Sequence, residues 1–111
     1  MSVTSVKEIM HLTIPEDYIK KFCQRHHICH LGVFGSAVRD DFGPGSDVDI
    51  LVEFDQEYKP GLMELVEMQE ELGWILGRKV DLVERKAVEK SENYIRREHI
   101  LKSVEPVYVA R

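Results

Sequence analysis

A chain of 111 residues, 43% hydrophobic and 32% charged, has the composition of an ordinary soluble globular domain, with room for one core. No apolar run approaches the ~20 residues that a bilayer span requires, and MSVTSVKEIMH lacks the charged-then-apolar plan of a secretory signal. The formal charge is −5 and the basic residues form no dense stripe, which disfavours direct DNA or RNA binding, where Lys and Arg must neutralise phosphates. A single cytoplasmic domain over residues 1–111 is expected.

In chain order, Met1 to His11 is ambiguous: Val6, Ile9 and Met10 form one face of a short helix, or the segment is a frayed arm. Thr13-Ile14-Pro15-Glu16 reads as a helix start, with Thr13 as cap, Glu16 closing a capping box and Pro15 in the first turn. Tyr18, Ile19, Phe22 and Cys23 recur at helical spacing, so the helix is expected from about Pro15 to His26. Ile28 to Phe34 is apolar enough for a central, covered strand. A short helix is expected from Ser36 to about Asp41, and Gly43-Pro44-Gly45 then forces a loop. The next strand runs from about Ser46 to Asp55, with Val48, Ile50, Val52 and Phe54 on one face and Asp47 and Asp49 on the other.

Leu62, Leu65, Val66, Met68, Leu72, Ile75 and Leu76 mark the apolar face of a helix, widened by Met63 and Trp74 and closed by Gly77. Its glutamates and Gln69 read as the solvated side. Lys79 to Glu84 is a third strand. One last helix is expected from about Val88 to Ser103, ended by Pro106, with Val107-Tyr108-Val109 adding a short edge strand. Alternating helices and strands predict an α/β sandwich, a mixed sheet packed with helices.

The chemistry concentrates in LGVFGSAVRDDFGPGSDVDILVEF, residues 31–54. An apolar strand stops at Gly35-Ser36, and ten residues later Asp47 and Asp49 open a second strand. Side chains at i and i+2 share a face, so these two carboxylates repel each other until a cation neutralises them. That pattern suggests a divalent-metal site beside a phosphate site. Gly35 lets a phosphate approach the backbone, and the Ser36 hydroxyl and nearby N–H groups can donate to it; the plain alternative is a tight turn with Ser36 as a helix cap. Ser46 can cap or orient Asp47 and Asp49. Arg39 can reach a triphosphate or pair equally well with Asp40, Asp41 or Asp47. The segment Cys23-x2-His26-His27-x-Cys29-His30 contains zinc-ligand residue types but no familiar zinc spacing. Two reduced thiols near the core and helix-end histidines are the expected reading.

GSAVRDDFGPGSDVD, followed by KVDLVE, resembles the signature of the minimal nucleotidyltransferases, the smallest members of the DNA polymerase β-like superfamily. The resemblance covers residues 31–83 and more loosely the tail to Val109. It implies a polymerase β-like palm, with Asp81 as a third carboxylate on a neighbouring strand. It further implies a nucleotidyl transfer using ATP and two Mg²⁺ ions held by Asp47, Asp49 and Asp81, with Gly35, Ser36, Arg39 and Ser46 toward the nucleotide. Such proteins are commonly antitoxins that transfer AMP to a tyrosine of a HEPN ribonuclease toxin. The implied partner is therefore a HEPN toxin, in a possible hetero-oligomer. The rivals are an antitoxin that acts by binding alone and a transferase acting on a small molecule.

Overall fold

The computed structural model describes residues 6–9, for which only the backbone is described, 12–35 and 47–110. Strand β1 (Val6–Ile9) pairs antiparallel with β2 (Leu12–Pro15). Val6–Ile9 is thus a hairpin strand rather than part of a helix or a frayed arm, and the rest of residues 1–11 lies outside the described residues. In β2 the alternation is clean: Leu12 and Ile14 are buried while Thr13 is exposed. Thr13 is therefore a strand residue and no capping box forms. Helix α1 (Glu16–Arg25) begins directly after Pro15, which makes no side-chain cap bond. Pro15 suits that junction because it has no N–H to leave unsatisfied. Ile19, Phe22 and Cys23 of α1 are buried, whereas Tyr18 is exposed.

His27 turns the chain with φ 57°, and β3 (Ile28–Phe34) follows as expected. It pairs antiparallel with β4 (Val48–Phe54). Helix α2 (Leu62–Leu76) ends at Gly77, whose φ of 66° is the left-handed cap conformation that glycine adopts without steric cost. Strand β5 (Val80–Glu84) then pairs parallel with β4.

The expected long final helix is instead two pieces, α3 (Arg85–Glu89) and α4 (Tyr94–Ser103). Between them Asn93 caps α4, its side-chain oxygen accepting from the Arg96 N–H at 3.1 Å. Asparagine competes with the backbone for such bonds, which makes it a better helix start than a helix interior. Strand β6 (Glu105–Val109) pairs antiparallel with β3 and contains Pro106. Proline is tolerated in a strand at the edge of a sheet.

The main sheet has the order β5-β4-β3-β6. On one face lie α1, α2 and the hairpin, around a core of Leu12, Ile14, Ile19, Phe22, Leu72 and the inward side chains of the strands. On the other, α3 and α4 cover a smaller cluster of Phe34, Leu51, Val88 and Ile100. Strand β4 serves both layers: Val48, Ile50, Val52 and Phe54 join the large core and Leu51 the small one. The mixed α/β sandwich expected from the sequence is therefore present.

The apolar face of α2 is narrower than periodicity implies. Met68 and Leu72 are buried, but Leu62, Met63, Val66 and Trp74 are exposed, Trp74 by 86%. Gln69 is likewise no mere solvent residue. Its Oε1 accepts the Leu82 N–H at 2.9 Å, closing part of the free edge of β5.

Candidate active site

Three elements converge at one end of the sheet. Strand β3 ends at Phe34, whose partner across the antiparallel ladder is Asp49 of β4. Asp49 is in turn opposite Asp81 of β5 in the parallel ladder. Adjacent strands lie about 4.8 Å apart and paired residues share a face, so Asp49 and Asp81 form a carboxylate pair on the α3/α4 side. Both reach that end because β4 must put Val48 and Ile50 into the core. The alternating period then turns Asp49 outward, half-buried, while Asp81 stays exposed.

Asp47 is the exposed residue immediately before β4, which begins at Val48, two residues later than the expected start at Ser46, so Asp47 lies just outside the strand. The Val48 N–H donates to the Lys79 carbonyl at 2.8 Å, which ties the Asp47–Val48 junction to the entry of β5. The Gln69 bond to Leu82 secures the same strand one residue beyond Asp81. A sequence reading missed Gln69, although its place between Met68 and Leu72 on a core-facing turn is the available signal.

Gly35 follows β3 directly with φ 71°. A β-carbon there would overlap Asp49 Oδ2 and fall 3.2 Å from Asp49 Cγ. The backbone at Gly35 is thus pressed against the Asp49 carboxylate, with no room for a side chain between them. Four expected site residues, Gly35, Asp47, Asp49 and Asp81, lie at this end of β3, β4 and β5. Ser36, Arg39 and Ser46, the short helix from Ser36 and the Gly43-Pro44-Gly45 loop lie outside the described residues.

The Cys/His segment does not gather into one cluster. Cys23 is buried in the core, and burial pushes its thiol up to about 12. His26 bonds Glu71 at 3.1 Å, and His27 stacks on Tyr58 with ring centroids 4.5 Å apart. Cys29 and His30 belong to β3, on the side of Glu53.

A nucleotidyltransferase domain family matches residues 16–103. The protein adenylyltransferase MntA of Thermococcus cleftensis is 39% identical over 83 residues, 75% of this chain and 80% of that protein. Among solved structures, a toxin–antitoxin complex with AMP-PNP superposes with a TM-score of 0.66 at 18% identity, over 88% of this chain and 76% of that one. A Shewanella oneidensis complex of tri-AMPylated HEPN toxin with MNT antitoxin gives 0.56 at 18% identity, over 86% and 70%. The structural likenesses show a shared fold. Carried by the family match, by the MntA relative and by a Gly35–Asp49–Asp81 cluster on the expected strands, the chain belongs to the nucleotidyltransferase domain family, as a minimal nucleotidyltransferase.

Proposed function

We propose that this chain is an antitoxin that transfers AMP from ATP to a tyrosine of a HEPN toxin. The observation that carries the proposal is the packing of Gly35 against Asp49, with Asp49 paired to Asp81. This arrangement sets a close-approach backbone beside two carboxylates. The relatives named as a protein adenylyltransferase and seen in a complex with AMPylated toxin support the choice of acceptor. The acidic balance of −5 favours a protein acceptor over a nucleic acid.

The donor set is all oxygen, which suits Mg²⁺, a hard cation commonly held by one or two carboxylates together with phosphates. Asp47, Asp49 and Asp81 are the residues that would hold it, in the two-ion arrangement implied by the family resemblance. Bound Mg²⁺ supplies positive charge to the triphosphate oxygens and acidity to the attacking hydroxyl. The chain's own residues do the rest. Gly35 admits the phosphates to the backbone, and Ser36, with Arg39 and Ser46 as assisting groups, donates to their oxygens. Asp81 faces the incoming hydroxyl and accepts its proton. The tyrosine oxygen forms a bond to the α-phosphorus, the bond from that phosphorus to the bridging oxygen breaks, and pyrophosphate leaves. Tyrosine needs this help because its hydroxyl, with a pKa near ~10, is a poor nucleophile at neutral pH.

The test is mass spectrometry of a HEPN toxin co-expressed with this chain. AMP on tyrosine is expected with the natural sequence and absent with Asp81→Asn. A toxin neutralised without added mass, and equally well by Asp81→Asn, would establish binding alone instead. Labelling of small hydroxyl acceptors by ATP in preference to the toxin would favour the small-molecule reading.

A further inference from the structure

We propose that Cys29, His30 and Glu53 form a zinc site at the far end of the same sheet face, separate from the Asp49–Asp81 pair. The argument starts from the backbone. In a regular strand, Cys29 and His30 would point to opposite faces. Strand β3 is not regular there: Ile28 pairs with Phe54 and His30 with Glu53, so Cys29 is an extra residue with no partner of its own in the ladder. A bulge sets two residues of one strand against one of its neighbour and re-aims their side chains. The consequence is a sulfur, an imidazole nitrogen and a carboxylate oxygen that all lie within 4.8 Å of one another.

Zinc bonds of about 2.0–2.3 Å at tetrahedral angles hold ligand atoms some 3.3–3.8 Å apart. A small side-chain rotation therefore closes the set. The backbone is already held on both sides: the Ala110 N–H donates to the Cys29 carbonyl at 2.8 Å, and the Asp55 N–H to that of His27 at 2.9 Å. Thiolate, imidazole and carboxylate together select zinc, whereas the all-oxygen cluster at the other end suits magnesium. Along β4, Asp49, Leu51 and Glu53 share one face. The two carboxylate positions are about 13 Å apart at ~3.3 Å per residue, with the buried Leu51 between them.

The competing use of Glu53 is an ion-pair network. His30 Nδ1 lies 3.7 Å and Arg85 Nε 3.6 Å from Glu53 Oε1. Arg85 Nε is also 3.6 Å from Glu89, so it keeps a partner when Glu53 turns to a metal. A cavity of about 70 Å³, lined in part by His30, Glu53 and Arg85 but not by Cys29, borders two of the three ligands and is large enough to hold a water. Three protein ligands and one open position make this an open site rather than a closed structural one. On binding, the Cys29 thiol gives up its proton to solvent and the sulfur bonds the metal.

The probes are Zn²⁺, followed by calorimetry, and Co²⁺, followed by its thiolate charge-transfer absorption, added to the reduced full chain stripped with EDTA. One equivalent and a thiolate band are expected, undiminished by Asp49→Asn or by excess Mg²⁺. Cys29→Ser should abolish the band. Glu53→Gln, which leaves the thiol in place, should weaken binding by about tenfold or more. The proposal is overturned by an absent equivalent, by binding without a thiolate band, or by a Cys29→Ser chain that binds like the natural one. Metal lost with Asp49→Asn but kept with Glu53→Gln would assign it to the carboxylate pair and overturn the proposal equally.

Discussion

Gly35 and Asp49 are in such close contact that no side chain fits between them: a β-carbon at Gly35 would overlap the Asp49 carboxylate. Gly35→Ala should therefore displace Asp49 and also strain a backbone held at φ 71°. Gly77 provides the control, having φ 66° but nothing within 4 Å of its would-be β-carbon. Both substitutions should cost about 1–2 kcal/mol of stability from the left-handed backbone alone. Only Gly35→Ala should also abolish AMP transfer, measured with labelled ATP on chains matched for folded fraction. Equal activity in the two variants would refute the close-approach role.

Asp49 and Asp81 are paired across β4 and β5, and each change to Asn keeps the shape while removing one charge. Asp81→Asn should block transfer by about a hundredfold or more, within the range typical of a lost general base, while retaining ATP binding. Asp49→Asn should block transfer too, and Asp47→Asn with it. Circular dichroism melts should show cooperative unfolding in all three. Wild-type transfer rates from the Asp47, Asp49 double mutant would end the metal-site assignment.

The two sides of α2 predict opposite stability outcomes. Leu72 is fully buried, so Leu72→Ala should cost about 2–5 kcal/mol through lost burial and the cavity left behind. Trp74 is 86% exposed, so Trp74→Ala should change stability by no more than about 0.5 kcal/mol. Urea denaturation of both variants measures the contrast. A large loss at Trp74 would mean that it belongs to the core side.

Glu71 joins α2 to the end of α1 through Arg25 and His26. Burial works against its ionisation, but bonds from Arg25 and His26 outweigh that and hold its carboxyl below the ordinary 4.5. A depressed carboxyl stabilises the fold above its unfolded pKa, and that contribution is lost as pH falls through the lower folded value. The melting temperature should thus drop as pH decreases below about 4.5. Glu71→Gln should melt lower than the natural chain at neutral pH and converge with it in acid. A gap of the same size at both ends of the titration would remove Glu71 as a source of the acid sensitivity.

What the sequence determined by itself was everything set by local pattern. Strand β3 is at its expected positions, Gly77 caps α2, and the alternation of Val48, Ile50, Val52 and Phe54 into the core turns Asp49 outward. These follow from periodicity and from the backbone freedom of glycine, both properties of neighbouring residues. The Gly-Ser and Asp-x-Asp motif was legible through its resemblance to the minimal nucleotidyltransferase signature, although Ser36 lies outside the described residues. Only tertiary structure decided the rest. Thr13 became a strand residue because β2 found a partner in β1, and the ladder of a hairpin outranks a weak capping signal. The apolar stripe of α2 looked wide in sequence, but its width in the fold is set by what it packs against, so Met68 and Leu72 are buried while Trp74 is not. Gln69 looked solvated until the free edge of β5 supplied a donor for it. The pairing of Asp49 with Asp81, and the bulge that brings Cys29 and His30 to Glu53, are matters of register between strands. Register depends on how the faces of a whole sheet are covered, which no single stretch of the chain records.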